Sequence, residues 1–397
     1  PSEHYFDISG CLDKISVSGS FPEIHEVFDL KRSIETVRAI VNFFKKKEDS
    51  GYPVMKSICE KVKIYPYVLE SIDRIIDKEG NIRDNASPRL KEIRNETAQK
   101  RIQVSRRLSA ILKQAQSDGI VDHDTAVSVR NGRGVIPVNA FDKRKIKGLI
   151  HDQSASGKTV YIEPSEIVEL NNEIIELEYE ERREIVRILT AFADDIRPYI
   201  EDLLQSNYFL GEVDFIRAKA LLGNQLGSIK PSISGDRGIL WRKALHPLLF
   251  LTFQKPGNRK VIPLDIELNE KNRILLISGP NAGGKSVCLK TVGLLQYMIQ
   301  CGMTVPVGEG SESGIFKDIF IDIGDEQSIE NDLSTYSSHL MNMKYFIKNA
   351  SDNSLILIDE FGAGTEPMLG GSIAEAILGE LNKACSYGVI TTHYTNL

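Results

Sequence analysis

The sequence predicts a multidomain protein in which a long-helix arm, capped by a small β element, is joined to an α/β domain with a phosphate-binding loop. Residues 273–293 carry one part of this prediction, because they read as a short apolar strand, a glycine-rich loop and a helix. Two long amphipathic segments, 86–117 and 164–204, carry the other, because they flank a strand-like stretch. The expected parts are a helical N-terminal region, the arm and the α/β domain, at residues 1–85, 86–222 and 223–397.

The glycine-rich loop has the G-x-x-x-x-G-K-[ST] pattern of a phosphate-binding loop and stands between a strand and a helix, as that loop requires. Its glycines let backbone N–H groups face phosphates, and the helix N-terminus adds a positive dipole end. Lys285 is placed for the β- and γ-phosphates of a nucleoside triphosphate, and Ser286 for Mg²⁺. The predicted nucleotide-binding residues are Gly279, Pro280, Asn281, Ala282, Gly283, Gly284, Lys285, Ser286 and Val287.

A continuous apolar strand at 355–358 is typical of a parallel sheet that is buried on both faces. Asp359 follows it and is expected to complete the Mg²⁺ shell with Ser286, while Glu360 is placed to polarise the attacking water. A last strand ends at His393, which we interpret as a sensor of the γ-phosphate. Further strands are expected at 238–241, 248–253, 261–268 and 316–323.

The β element at about 120–163 is rich in cations. Between Arg130 and Lys158 there are seven basic and two acidic residues, a balance of +5 in a protein whose net charge is −6. Such a local excess indicates contacts to nucleic-acid phosphates, and a merely soluble hairpin tip is the alternative. The predicted contacts are Arg130, Arg133, Lys143, Arg144, Lys145, Lys147 and Lys158.

The composition, with 26% charged and 41% hydrophobic residues, is typical of a soluble globular protein. Five scattered cysteines fit a reducing compartment and argue against a zinc site or a disulfide framework. No apolar run approaches ~18 residues, so we expect a cytoplasmic protein without a membrane span. The second long segment has a glutamate-dense face between Glu176 and Glu184, which predicts a solvated helix face.

Several stretches resemble the ATPase of the MutS family, in order along the chain. They are GPNAGGKS at 279–286, DLST at 332–335, LILIDEFGAGT at 355–365 and TTHY at 391–394. Upstream, three more stretches resemble the type-two bacterial branch of that family. These are DNASPRLKEIR at 84–94, RGVIPV at 133–138 and HDQSASGKTVYIEP at 151–164.

The resemblance implies a lever-and-clamp domain joined to an ABC-type ATPase that works as a homodimer with ATP and Mg²⁺. It also implies clamping of duplex or branched DNA in recombination control or repair. The family's phosphate-loop pair corresponds to Lys285 and Ser286, its Walker B pair to Asp359 and Glu360, and its switch histidine to His393. Its signature serine, which reaches the partner's nucleotide, corresponds to Ser334.

Some features depart from the family pattern. Too few residues precede the phosphate loop for mismatch-reading and connector domains, so mismatch specificity is not expected. The chain stops at Leu397, before the helices that complete the family's dimer interface and before the stalk and small nuclease (Smr) domain of the type-two branch. We therefore expect neither nuclease activity nor a strong dimer from this chain. The alternative is the ATPase subunit of a transporter, which would carry an L-S-G-G-Q-like signature where this chain has LSTY at 333–336.

Overall fold

The fold is taken from a computed structural model, which describes residues 5–47, 51–130, 132–235, 237–253, 260–280, 283–323, 335–362 and 366–394. The chain divides into two compact units, Pro1–Asp214 and Phe215–Leu397. Helices and several sheets make up the two units, which agrees with a multidomain α/β fold class. The predicted division into parts at residues 85 and 222 remains a prediction.

The first unit opens with short helices packed around an apolar core. They are α1 (Ser9–Ser16), α2 (Ile24–Lys45), α3 (Pro53–Glu60) and α4 (Pro66–Ile75). The apolar spacing of the sequence predicts helices at 29–44 and 64–76, and α2 and α4 confirm them. Helix α2 begins with a capping box in which Glu23 and Glu26 each accept a backbone N–H from the other's position. Leu12, Leu30 and Ile72 are fully buried in the shared core.

Two long helices form the arm, α5 (Pro88–Ser117) and α6 (Ser165–Ile196). Ion pairs join them in opposite chain order, so the helices are antiparallel. The pairs are Arg89–Glu180 at 2.6 Å, Arg94–Glu181 at 2.7 Å, Arg101–Glu178 at 2.8 Å, and Lys100–Glu173. The cations of α5 lie opposite the glutamate-dense face. The prediction that this face is only solvated is therefore wrong.

The second long helix is shorter than predicted. It ends at Ile196, and a 3₁₀ turn, Arg197–Tyr199, separates it from α7 (Ile200–Leu226). Pro198 explains the break, because a proline lacks the N–H of the helical ladder and clashes with the preceding turn. The sequence also predicts a separate helix at 210–222, and these residues belong to α7, which crosses the division between the units. Across the described ranges, no helix is both long and apolar enough to cross a bilayer.

The stretch between α5 and α6 folds into an antiparallel sheet of the order β1-β2-β4-β3. Its strands are β1 (Ser128–Arg130), β2 (Arg133–Asn139), β3 (Gly148–Gln153) and β4 (Thr159–Pro164). Ile136 and Ile162 of the sheet pack with Leu108 of α5 and Ile174 of α6. Gly148 is required for the edge pairing, since a Cβ there would lie 2.1 Å from the carbonyl oxygen of Glu163.

The second unit contains a parallel sheet of the order β10-β11-β12-β8. Its strands are β8 (Ile274–Ser278), β10 (Asp318–Asp322), β11 (Ser354–Ile358) and β12 (Tyr387–Thr392). Helix α9 (Lys285–Gln300) covers one face, and α10 (Thr335–Asn349) and α11 (Pro367–Lys383) cover the other. Strand β11 is buried along its whole length, which confirms the prediction of a strand covered on both faces.

A second sheet has the order β5-β9-β6-β7, with β5 (Ser232–Ile233), β6 (Ile239–Ala244), β7 (Leu264–Leu268) and β9 (Glu312–Ser313). The strand predicted at 248–253 is wrong, because these residues belong to α8 (Pro247–Phe253). Pro247 at the first helical position and the bond from the Phe250 N–H to the His246 carbonyl, 2.9 Å, start this helix. A short apolar run without polar punctuation does not distinguish a strand from a buried helix.

A buried hydrogen-bond cluster ties the start of α5 to the middle of α6. The Ser87 hydroxyl accepts the Leu90 N–H at 3.0 Å, as an N-cap, and donates to Glu184 Oε1 at 2.5 Å. Hydrogen bonds from Arg187 lower the pKa of Glu184, and the bond from Ser87 lowers it further. Burial opposes them, and the resulting pKa is about 2. The stabilisation that this carboxylate contributes is therefore complete above about pH 4.5 and is lost as the pH falls towards about 2.

We expect Ser87→Ala to lower the free energy of unfolding by about 1–3 kcal/mol, because α5 loses its cap and buried Glu184 loses a donor. Urea denaturation followed by the helical circular-dichroism signal measures this loss. The matched control is Ser109→Ala, whose exposed hydroxyl bonds only to the Ser105 carbonyl of the same helix, and it should change stability by less than about 0.5 kcal/mol.

The difference between parent and Ser87→Ala should shrink as the pH falls from about 4.5 to about 2, since protonation of Glu184 removes the charge that strengthens its hydrogen bond from Ser87. A difference that stays constant over this range would contradict the role assigned to Glu184.

Candidate functional site

The predicted site residues follow the carboxyl ends of neighbouring parallel strands. Strand β12 lies between β8 and β11, with Thr392 opposite Ser278 and Ile390 opposite Ile358. The glycine-rich loop follows β8, the two carboxylates follow β11, and His393 follows β12. Because carboxyl ends of parallel strands meet at one edge, these three segments are brought together.

The phosphate-loop lysine is buried at the first turn of α9. Gly284 precedes it with φ 87°, a left-handed conformation that favours glycine. The Lys285 side chain is only 4% exposed. Its ammonium donates to the carbonyl oxygen of Gly279 and to that of Thr392 at 3.2 Å, and it lies 3.4 Å from Nδ1 of His393.

The electrostatics of this lysine are unusual. Two of its three partners are backbone carbonyls and the third is an imidazole, and no carboxylate in the described ranges forms an ion pair with it. A buried charge without a counter-charge is costly in free energy. The surroundings of Lys285 are therefore complementary to an anion such as a phosphate.

The predicted metal-binding pair is also brought together. The Ser286 hydroxyl donates to Oδ1 of Asp359 at 3.1 Å, and the Thr391 hydroxyl donates to the same oxygen. Hydroxyl and carboxylate oxygens are the hard donors that Mg²⁺ prefers. The donor set next to Lys285 thus fits a divalent cation bound with a phosphate.

Glu360 has an uncommon backbone conformation, with φ 52°. A left-handed conformation at a residue other than glycine costs about 1–2 kcal/mol and is found mainly where the surroundings enforce it. Here the Glu360 N–H donates to the Thr391 hydroxyl at 2.9 Å, and the Phe361 N–H donates to the Thr391 carbonyl at 2.8 Å. Thr391 therefore fixes both consecutive acidic residues at the end of β11.

Thr391 is not among the site residues predicted from the sequence. Its hydroxyl is buried and serves as donor to Asp359 and as acceptor for the backbone of Glu360. The available signal was its position in TTHY, at the end of the strand that neighbours the two carboxylates.

A second missed group surrounds Asp322 at the end of β10. This carboxylate is 6% exposed and accepts a hydrogen bond from Nδ2 of Asn342 at 2.8 Å. It also lies 2.6 Å from Nδ1 of His339. Its backbone carbonyl accepts the Asp359 N–H at 2.9 Å. These contacts fasten α10 to the end of β11, beside a cavity of about 20 Å³ that Asp359 and Glu360 also line. The available signal was an apolar run directly followed by Asp, a pattern that it shares with the run before Asp359.

Some predicted residues cannot be placed. Asn281, Ala282 and Ser334 lie outside the described residues. The other loop residues lead into α9, where the Gly283 N–H donates to the Pro280 carbonyl at 3.0 Å and Val287 is 42% exposed on the first turn.

The predicted cations of the β element separate into two groups. Arg130 and Arg133 are engaged within the sheet. Arg130 pairs with Asp152 at 3.2 Å and lies over the ring of Tyr161, 4.1 Å from its centroid. Arg133 donates to both carboxylate oxygens of Glu163 at 2.9 and 3.0 Å. These two side chains therefore have structural partners already.

Glu163 is fully buried and anchors Arg133. Burial raises the pKa of this carboxyl, but hydrogen bonds from Asn171, His151 and Arg133 outweigh it, so that the pKa is lowered. The Arg133–Glu163 pair thus belongs to the interior of the unit.

The second group of cations is exposed. Its members are Lys143, Arg144, Lys145, Lys147 and Lys158, which we call the tip cations. Lys145 pairs with Asp142 at 2.8 Å, and its side chain is still 58% exposed. The other four have no side-chain partner among the described residues, so their charges face solvent.

Comparisons with known proteins point in one direction. Residues 275–397 match the family described as MutS domain V. The chain is 39% identical to Endonuclease MutS2 of Geobacillus sp. (strain WCH70), over 99% of the chain and 49% of that protein. It is 38% identical to Endonuclease MutS2 of Enterococcus faecalis, over 94% of the chain and 46% of that protein. The comparisons support the MutS family.

A third relative gives the same result. Endonuclease MutS2 of Alkaliphilus oremlandii is 38% identical over 98% of this chain and 48% of that protein. The chain therefore spans about half the length of the curated relatives it matches. The similarity extends upstream of the MutS domain V match, through the long helices and the β element.

We expect Thr391→Val to lower the stability of the second unit by about 1–3 kcal/mol, because the Glu360 N–H loses its acceptor and Asp359 loses a donor at almost unchanged side-chain volume. Urea denaturation followed by the fluorescence of Trp241 measures this loss, since Trp241 is the single tryptophan of the chain and is buried in this unit. Thr391→Ser keeps the hydroxyl and should remain closer to the parent. Equal effects of the two substitutions would refute the hydroxyl's role.

Proposed function

We propose that this chain is an ATP-dependent DNA-binding protein of the MutS type, which clamps duplex or branched DNA in recombination control or repair. In this proposal the second unit is an ABC-type ATPase. Helices α5 and α6 form the lever, and strands β1–β4 form the clamp at its tip. The similarity of almost the whole chain to relatives named MutS2 supports the proposal.

The observation that carries the ATPase proposal is the buried ammonium of Lys285. It is 4% exposed, it forms no ion pair with a carboxylate of the described residues, and it follows a glycine-rich loop at the carboxyl edge of a parallel sheet. The β- and γ-phosphates of ATP would supply the missing negative charge. The backbone of the loop and the N-terminus of α9 would contribute further donors to the same phosphates.

Other residues of this edge take complementary roles in the proposal. Mg²⁺ held by Ser286 and Asp359 would neutralise charge on the phosphates. Glu360, whose backbone conformation Thr391 enforces, orients the attacking water. His393, in contact with the Lys285 ammonium, senses the γ-phosphate.

Hydrolysis in this proposal requires two chains. Ser334 would reach the nucleotide of a second copy, so that ATP sits in a composite site between the subunits of a homodimer. Binding of ATP then stabilises the closed dimer by mass action.

DNA contact is assigned to the tip cations. Each exposed Lys or Arg that neutralises a phosphate releases a condensed counterion, and affinity therefore falls with salt. Arg130 and Arg133 contribute to the same surface through the pairs that hold the sheet together. The two acids of this segment already have partners, Asp142 in Lys145 and Asp152 in Arg130.

The ATPase proposal predicts different defects for two substitutions. Lys285→Ala should weaken ATP binding by about 100-fold or more, because the phosphates lose a desolvated charge partner. Glu360→Gln should keep ATP binding and lower turnover by about 10²–10⁴-fold, because only water activation is lost. Binding of labelled ATP and release of phosphate measure the two effects. Lys290→Ala, on the exposed side of α9, is the control, and parental turnover by Glu360→Gln would refute its assignment.

The DNA-binding proposal predicts a change in salt dependence. Combined replacement of Lys143, Arg144, Lys145 and Lys147 by Glu should weaken duplex binding. The slope of log affinity against log salt should fall by about 0.9 for each lost contact. Fluorescence anisotropy of a labelled duplex at several salt concentrations measures both quantities.

A control separates local contacts from net charge. It replaces four other exposed lysines of the first unit by Glu, namely Lys46, Lys61, Lys78 and Lys91. The charge change is equal, so an equal loss of affinity and slope in both variants would show that the tip is not the DNA-binding surface.

A further inference from the structure

One aromatic side chain at the tip is almost completely exposed to solvent. Phe141 lies in the short 3₁₀ turn Ala140–Asp142 that follows β2, and 96% of its surface is accessible. Scattered apolar residues are normal on protein surfaces. Phe141 differs because it is a large aromatic ring with almost no protein contact, and only Asp142 separates it from three consecutive tip cations.

The turn that carries Phe141 is held in place on both sides. The Asn139 side chain accepts the Phe141 N–H at 3.1 Å, and the Ala140 N–H donates to the Lys158 carbonyl at 2.9 Å. After the ring, the Lys145 N–H donates to the Asp142 carbonyl at 2.9 Å. Ala140 packs against the apolar core under the sheet. The backbone thus presents the ring outward at a defined position.

The surroundings of the ring are positively charged. Lys143, Arg144 and Lys145 follow that turn, in which Asp142 pairs with Lys145, and the bond from Ala140 brings Lys158 alongside. An aromatic ring among exposed cations is the combination with which proteins bind single-stranded nucleic acid, where cations contact phosphates and rings stack on bases. A polyanion with accessible bases matches both parts of this surface.

We propose that Phe141 stacks on an unpaired base of the nucleic acid that the tip cations hold. This inference rests on the proposed nucleic-acid contact and adds a preference to it. The tip would favour strands with unpaired bases, as in a gap or at a junction, over a continuous duplex.

The size of the stacking contribution favours an unpaired base. One base–aromatic stack contributes roughly 5- to 150-fold in affinity. In a continuous duplex the faces of the bases are covered, and a ring reaches them only after a base step has been opened, at a cost of similar or larger size. At a base that is already unpaired this cost is small. A single ring therefore gains affinity at unpaired bases and little or none in a duplex.

The experiment compares three labelled DNA probes of the same length, a continuous duplex, a duplex with a short central single-stranded gap, and a single strand. Fluorescence anisotropy gives the affinity of each for the whole chain. The parent should bind the gapped and single-stranded probes more tightly than the duplex. Phe141→Ala should lose roughly 5- to 150-fold on those two probes and keep its duplex affinity and salt slope. Phe141→Trp should retain the preference.

A matched control and a direct readout accompany these measurements. Val129→Ala truncates another exposed apolar side chain of the same sheet, 63% exposed on β1, and should leave all three affinities unchanged. The base analogue 2-aminopurine, placed in the gap, should lose fluorescence on binding to the parent and keep it on binding to Phe141→Ala, because stacking quenches it.

The outcomes separate this inference from the proposed function. Parental affinity of Phe141→Ala for every probe, or an equal loss on duplex and gapped DNA, overturns the stacking role while the tip cations still bind DNA. If charge reversal of the tip cations leaves all affinities unchanged, the proposed DNA contact fails and the inference fails with it. A single-stranded RNA probe of the same sequence shows whether the sugar matters, since a ring that stacks on bases should accept both.

Discussion

The parallel pairing of β12 between β8 and β11 is the constraint on which the candidate nucleotide site depends. It aligns three segments that are far apart in the sequence, so that Lys285, Asp359 and His393 share one edge. Thr391, inside β12, then fixes the positions of the residues that follow β11. Its hydroxyl and carbonyl bind consecutive groups after β11 and hold Glu360 in a left-handed conformation. The strain at Glu360 is sustained because these hydrogen bonds over-determine its position.

The two units use charge in opposite ways. In the second unit, the Lys285 ammonium is buried without a carboxylate partner among the described residues, at one edge of a sheet. In the first unit, buried charge is balanced, as with Glu163 among Arg133, His151 and Asn171. The tip cations of that unit are instead exposed to solvent. Basic side chains thus stabilise the interior where acidic and polar partners surround them, and they can bind an anion where such partners are lacking.

The sequence predicted the parts of the fold that depend on local pattern. The glycine-rich loop, the buried strand at 355–358 and the paired strands of the tip could be recognised because periodicity and spacing determine them. Prediction from the sequence failed where tertiary contacts determine the outcome. The apolar run at 248–253 fits a strand and a helix equally well, and the partners of the glutamates on α6 lie on another helix. Thr391 and Asp322 were missed because a hydroxyl or carboxylate gains its role only from the strand beside it.

The ion pairs between α5 and α6 have a consequence for how a polyanion meets the first unit. Arg89, Arg94, Lys100 and Arg101 are neutralised one by one by glutamates of the opposite helix. Along that length the arm therefore has little field of its own, while the tip keeps an excess of positive charge. The charges of the arm balance along this length. Long-range attraction of a polyanion is therefore concentrated at the end where cations and an aromatic ring are exposed.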